Sequence, residues 1–192
     1  MNLGLLVEGH GEYYAAPILV RRVAASLGVP CVVRSVLRQP RSTIIKAGEL
    51  ERAVTLLGNK VGSGGAVLVL IDADDDPACT LGPMLLDRAR NARLDRRVGV
   101  VLAVREYEAW FLAAAESLRG RRGLPADFAE PSTPEAIRDA KGWLAQQMPQ
   151  GYSPTADQPA LTNLFDLALA RRSPSFDKLV RELTRLLAVT ET

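Results

Sequence analysis

Two acidic clusters lie where apolar runs end. Leu3-Gly4-Leu5-Leu6-Val7 leads into Glu8-Gly9-His10-Gly11-Glu12, and the run from Ala66 to Ile71 leads into Asp72-Ala73-Asp74-Asp75-Asp76. Carboxylates crowded at strand ends repel one another unless a cation joins them. In an open α/β sheet the crevice outside the carboxyl ends of the strands is where ligands bind, so both clusters can face one pocket. The chemistry such residues suit is that of a divalent-metal site.

Asp72 and Asp74 form an Asp-x-Asp in which the period of two of an extended chain sends both carboxylates to the same side. Two acids so placed can share Mg2+, which prefers hard oxygen ligands. Glu8 falls just past the first strand, and Gly9 and Gly11 let the backbone turn sharply before a helix begins. Glu12 either reaches the side of Glu8 or complements the helix dipole from its first turn. A third acidic stretch, Arg105-Glu106-Tyr107-Glu108, follows the fourth strand. Glu106 is the better-placed ligand there; Glu108 either joins it or starts the next helix, and Trp110 and Phe111 are expected in the core. Arg105 either neutralises the acids or faces solvent.

His10 is the only histidine, which rules out a His-based metal cluster and leaves a proton carrier or an exposed loop residue. Gly9-His10-Gly11 lacks the GxGxxG spacing, and the chain has no GK[ST]. Cys31 and Cys79 stand in unrelated contexts without CxxC spacing, so neither a zinc site nor a disulfide framework is expected.

These acids must be carried by a sheet. Apolar runs of strand length alternate with amphipathic stretches through residue 118, the pattern of successive βαβ units. Strands are predicted near 2–7, 30–37, 66–71 and 98–104, with helices near 12–27, 47–61, 81–95 and 107–118. The third and fourth strands are apolar on both faces, as interior parallel strands should be, whereas Arg34 and Ser35 place the second nearer an edge. The sheet is expected to be four-stranded and mostly parallel, an α/β core over 1–118 with a helical extension over 119–192 packed on it. In that extension helices are predicted near 134–147, 160–171 and 174–188, with Thr133 as N-cap before Pro134. Asp166 falls inside the second of them, Met148 to Pro159 is a long loop or lid, and the last few residues fray.

A chain of 192 residues with 47% hydrophobic content can pack one such domain. No apolar run approaches the roughly 20 residues that span a bilayer, and no basic-then-apolar leader opens the sequence, so a cytoplasmic protein is expected. Net charge is +2, and all basic residues except Lys46, Lys60, Lys141 and Lys178 are arginines. Clusters at Arg34, Arg38 and Arg41, at Arg88 to Arg97, and at Arg119, Arg121 and Arg122 either bind a polyanion or solvate helix and loop faces.

The Glu-Gly after the first strand, the Asp-x-Asp after the third and the βαβαβαβ core resemble the TOPRIM domain of topoisomerases, primases and OLD-family nucleases. Val7-Glu8-Gly9-His10-Gly11-Glu12 is especially similar to the VEGxxE of the OLD branch. The wider pattern of VEGxGE, DxD, REYEAWFLA and SPTADQPALTNLFDLALARRSPSFDKL resembles the bacterial family called domain of unknown function 4276, over nearly the whole chain. The resemblance implies a Rossmann-like TOPRIM core with Glu8 as metal ligand or general acid/base, Glu12 as a further ligand, and Asp72 and Asp74 as Mg2+ ligands. Glu106 and Glu108 match the later acidic pair of OLD nucleases. Lys141 and Lys178 are the candidates for their late lysine, and Lys141 is carried as the site residue.

The activity this implies is Mg2+- or Mn2+-dependent phosphodiester hydrolysis of nucleic acid in a bacterial defence or DNA-processing system, with two ions orienting water and stabilising the leaving oxygen. Arginines outside the acidic floor would hold the backbone without reading sequence. One competitor is a receiver-like α/β domain, which puts its acid pair after the first strand and a phosphorylatable Asp after the third; Glu-Gly-x-Gly-Glu fits that plan poorly. The other is a non-catalytic TOPRIM-like module that partners an ATPase, since this chain has no nucleotide-triphosphate motif of its own.

Overall fold

A computed structural model describes residues 1–188. The elements run β1 (Asn2–Val7), α1 (His10–Ser26), β2 (Val32–Arg38), α2 (Arg41–Ile44), α3 (Glu49–Val61), β3 (Ala66–Asp72), α4 (Ala78–Ala92), β4 (Arg97–Ala103), α5 (Ala109–Ala113) and α6 (Ala115–Leu118). A 3-10 turn (Pro134–Ala136) then precedes α7 (Ala140–Gln147), α8 (Pro154–Leu164), α9 (Leu167–Ala170) and α10 (Pro174–Leu187). The expected fraying of the last few residues lies outside the described residues. Among those described, no helix is long and apolar enough to cross a membrane.

All strand pairs are parallel, in the order β2-β1-β3-β4. This is a Rossmann-like α/β sheet followed by a helical part. The chain leaves β1 toward one edge and enters β3 on the other side of β1, so the carboxyl ends of β1 and β3 flank the switch point where such sheets open a crevice. Glu8 and Asp72 stand at those two ends.

The pleat sorts side chains strictly. Leu3, Leu5, Val7, Leu68, Leu70, Val101 and Ala103 face α1 and the C-terminal helices, while Leu6, Val67, Val69, Ile71, Val100 and Leu102 face α3 and α4. Asp72 continues the series of Leu68 and Leu70, so its carboxylate emerges on the side of the C-terminal helices. That side is locked by a chain of edge-to-face and tilted rings, with Tyr107 beside Trp110, Trp110 beside Phe176, and Phe165 beside both Phe111 and Phe176. The indole of Trp110 donates to Ser175 Oγ at 2.8 Å, satisfying its buried N–H.

Several local expectations are corrected. β4 is an edge strand, not an interior one; it reads as interior because α4 and α10 cover its two faces, and Arg185 of α10 donates to Val98 O at 2.7 Å. The helix expected from 107 starts at Ala109, with Glu108 at its N-cap position, and breaks at Ala114, while the Tyr107 N–H ahead of it donates to Asp72 Oδ1 at 2.8 Å. Thr133 makes no side-chain cap and heads only the 3-10 turn; α7 starts at Ala140, capped by Asp139 accepting from Gly142 N at 2.7 Å. Half of the expected loop from Met148 is helix, since Pro154 occupies the first turn of α8, where its missing N–H has no consequence. Asp166 is not inside a helix but caps α9, accepting from Ala168 N and Leu169 N at 2.7 and 2.9 Å.

Phe176 ties α10 to the ring chain and is fully buried, so Phe176→Ala is expected to cost about 3–5 kcal/mol of unfolding free energy, read from the urea midpoint at unchanged slope.

Candidate active site

Asp72 is the hub. It is 2% exposed; its N–H donates to Glu8 Oε2 at 3.2 Å, its Oδ1 accepts from Tyr107 N, and its Oδ2 lies 3.4 Å from Lys141 Nζ. The same ammonium lies 3.3 Å from Glu106 Oε1 and 3.6 Å from Glu108 Oε2. Glu106 also accepts from the backbone N–H of Lys141 at 2.9 Å, so it fills an orphan donor in the first turn of α7 and fixes where Lys141 begins. Of the two candidate lysines, the fold brings Lys141 to the acids, whereas Lys178 reaches toward Gly82.

Glu12 stands 4% exposed on the first turn of α1, its Oε1 accepting from Gln158 Nε2 at 2.9 Å. Glu108 is fully buried, with Oε1 accepting from the Tyr152 hydroxyl at 2.8 Å and Oε2 without a hydrogen bond. Burial and the charge of Glu108 push the Tyr152 phenol up, which keeps it protonated as the donor. The two glycines of the first motif turn out to serve space rather than conformational freedom. Gly9 has ordinary extended dihedrals and Gly11 is helical, but a Cβ on Gly9 would come within 2.0 Å of Glu12 Oε2, and one on Gly11 within 1.9 Å of Gln158 Oε1.

Asp74 departs from the expected geometry. Strand β3 ends at Asp72, and Asp74 takes a left-handed conformation at φ 50°, so the two carboxylates do not emerge side by side. Asp74 is instead 3.6 Å from Arg41, which also pairs with Asp76 and donates to the carbonyl of Asp72. Asp75 is gripped by Arg105 and Arg138. A rim of three arginines thus surrounds the acidic floor. The second arginine cluster is spent on tethers within the fold, Arg88 on Glu51 and Arg93 on Asp95. His10 is exposed at the start of α1.

One ammonium faces several carboxylates that have been taken out of water, and the imbalance shows in their acidity. Burial raises Glu8 to about 7, with the nearby charges of Glu12 and Asp74 adding to it against the Asp72 N–H. Burial likewise raises Glu108 to about 7, opposed by Lys141 and Tyr152, and lifts Asp72 well above the carboxylate range. For Lys141 burial acts downward, but Glu108, Asp72 and Glu106 together outweigh it and hold the ammonium charged. Protons therefore take the place that further positive charge would take.

Among the described residues no three His, Cys, Asp or Glu side chains converge on one point able to hold a metal ion, and the Lys141 ammonium sits among Asp72, Glu106 and Glu108. The donor set is nonetheless all oxygen, with a buried Glu108 oxygen that no hydrogen bond satisfies, and fits a hard cation such as Mg2+ or Mn2+. An open groove of about 540 Å3 is lined by Arg122, Asp157 and the segment from Met148 to Ser153, which includes Tyr152.

Gln158 and Thr162 lie within the stretch SPTADQPALTNLFDLALARRSPSFDKL but match no catalytic or ligand motif of their own. The available signal is their place on the buried stripe of α8, where Gln158 and Thr162 alternate with Leu161 and Phe165 at helical spacing and polar groups need partners. Gln158 finds Glu12, and Thr162 finds the Tyr107 hydroxyl at 3.0 Å.

Two outcomes follow from this arrangement. Acids whose folded pKa lies above the unfolded value of 4.5 take up protons on folding, so the metal-free protein should be most stable near pH 5 and lose stability as pH rises through about 7. Lys141, shifted upward from 10.5, does not oppose this trend below that pH. Thermal melts across pH 5 to 8 should show a falling Tm; a rising one contradicts the assignment. Gly11→Ala should destabilise by about 1–3 kcal/mol through overpacking against Gln158 and the Pro154 carbonyl, read by denaturant unfolding.

No curated protein and no solved structure matches the chain. A family model described as Domain of unknown function (DUF4276) matches residues 7–184, from the strand that delivers Glu8 through the last helix of the fold. By that match over most of its length, the chain belongs to the DUF4276 family.

Proposed function

We propose that this chain is a Mg2+- or Mn2+-dependent phosphodiesterase of the TOPRIM type, related to OLD nucleases, that cleaves nucleic acid in the cytoplasm as part of a bacterial defence or DNA-processing system. The observation that carries this reading is the excess of carboxylates over ammonium at the switch point of the sheet: buried Glu12, Asp72 and Glu108 and half-buried Glu8 and Glu106 against Lys141. An excess of that kind is stable when cations make up the charge.

Glu8, Glu12, Asp72 and Glu108 are the residues that would hold the ions, with Glu106 anchoring Lys141 and Asp74 standing at the rim. A bound divalent ion offsets the repulsion among the acids and polarises the scissile phosphate. Glu8 serves as one of those ligands or, where it is left free of the ion, as the general base that takes the proton of the attacking water. Lys141 keeps its ammonium charged and faces the same crevice, where it can stabilise negative charge building on the leaving oxygen. Arg41, Arg105 and Arg138 at the rim, each paired with Asp74, Asp75 or Asp76, would have to exchange those carboxylates for flanking phosphates.

A second reading, a non-catalytic module that partners an ATPase, is favoured by one feature. Lys141 already joins three carboxylates, so the cluster can stand as a purely structural ion network.

Calorimetric titration of Mg2+ and Mn2+ separates the two. Metal binding that disappears in Asp72→Asn, together with nucleic-acid cleavage that falls roughly 10²–10⁴-fold in Glu8→Gln, supports the phosphodiesterase. A wild-type chain that binds neither ion overturns it in favour of the partner module.

A further inference from the structure

We infer that Tyr152 and Gln158 are positioning residues, each holding one oxygen of a buried carboxylate, Glu108 and Glu12, so that its second oxygen is presented to a divalent cation. The inference rests on the metal-dependent reading above and assigns the helical part a share in building the site.

The two contacts have the same form. Tyr152 donates to Glu108 Oε1 at 2.8 Å and Gln158 donates to Glu12 Oε1 at 2.9 Å. In each case the donor comes from the segment at the start of α8, and the acceptor from the sheet-bearing half of the chain. Among the described residues Glu108 Oε2 is left buried with no hydrogen bond, and the one cation near it is Lys141 Nζ at 3.6 Å. Carboxylates that ligate metals are themselves held by hydrogen bonds from outer groups, which fix the direction of the ligating oxygen.

Gln158 supplies the independent sign that this is more than packing. It is fully buried, and among the described residues its own Oε1 has no hydrogen-bond partner. A buried amide carbonyl without a donor is unfavourable, and an aliphatic side chain in this place would avoid it. Turning the amide over would set that oxygen against the Glu12 carboxylate, so the orientation is fixed by what the Nε2 group does for Glu12. The pair is also enclosed. Gly11 leaves room for Gln158 Oε1 and the Pro154 carbonyl, and Gly9 leaves room for Glu12 Oε2, each at distances no Cβ could tolerate. Glycine at both positions is thus the steric condition for the Gln158–Glu12 contact.

The test uses the full chain with Tyr152→Phe and Gln158→Met, which remove the donor and keep the volume. Three readouts are needed: Mn2+ affinity by calorimetry, thermal melts, and the side-chain carboxyl 13C resonances of Glu12 and Glu108 in metal-free protein. Each variant should lose roughly tenfold to a hundredfold in Mn2+ affinity, and each should move only its own carboxyl resonance. Variants that melt lower but bind Mn2+ like wild type overturn the inference and leave the metal reading standing. A wild-type chain that binds no Mn2+ overturns the metal reading; unmoved resonances in the variants then overturn the positioning of the carboxylates as well. Should Gln158→Met not fold, Gln158→Asn, which withdraws the amide by one methylene, is read in the same way.

Discussion

Taking like charges out of water at the end of a parallel sheet is expensive, and the arrangement around Asp72 depends on meeting that expense. Asp72 has no freedom to turn away. It ends a fully buried strand, the pleat points it toward the C-terminal helices, and its carboxylate is fixed by the N–H of Tyr107. Glu8 is tied to it through its backbone, and Glu108 arrives within reach of the same ammonium. Among the described residues Lys141 is the one ammonium placed among these acids; burial pulls its pKa down, and the surrounding carboxylates outweigh that and keep it charged. What remains of the imbalance shows as acidities pushed up by burial at Glu8, Glu108 and Asp72, which favours their protonated forms.

Much of the chain beyond β4 can be understood as support for that point. The stretch Glu106-Tyr107-Glu108 sends its three side chains to three destinations: Glu106 to the first turn of α7, Tyr107 into the aromatic core, and Glu108 to Lys141 and Tyr152. Rings from α5, α8 and α10 pack around Tyr107 and Trp110, so the backbone that carries both glutamates is anchored on its apolar side. On the opposite side the site is bounded by charge. Arg41, Arg105 and Arg138 hold the loop of Asp74 to Asp76 at the rim, and two of the residues in this rim, Asp74 and Arg105, take left-handed conformations and bridge each other. Exposed pairs of this sort contribute little individually to stability. Their effect is to direct the loop.

Much of this was legible in the residues alone. Alternating apolar runs and amphipathic stretches determine a parallel α/β sheet, because strands buried on both faces must be apolar throughout and crossover helices must be apolar on one side. The places where those runs stop put Glu8 and Asp72 at the carboxyl edge, and the arginine and serine in β2 mark it as an edge strand. Buried Trp110 and Phe111 also followed from composition. Local periodicity failed at the two stretches that follow strands: the helix expected from Tyr107 starts only at Ala109, and Asp74 abandons the extended geometry that its spacing from Asp72 suggested.

Which charges meet was decided only by the tertiary structure. Two lysines were equivalent in sequence, and the N-terminus of α7, held by Glu106, brings Lys141 rather than Lys178 to the acids. Of the glycines that read as turn formers, Gly9 instead makes room for the Glu12 carboxylate, and Gly11 for Gln158, which lies 146 residues from the Glu12 it contacts, a separation over which no local pattern carries information. The sequence by itself determined the sheet, its acidic edge and the sign of the charge collected there, because hydrophobic period and strand termini are local properties. The partner of each carboxylate, and the depth to which it is buried, belong to the packing of α7 and α8 against the core, because hydrogen bonds and desolvation depend on what arrives from elsewhere in the chain.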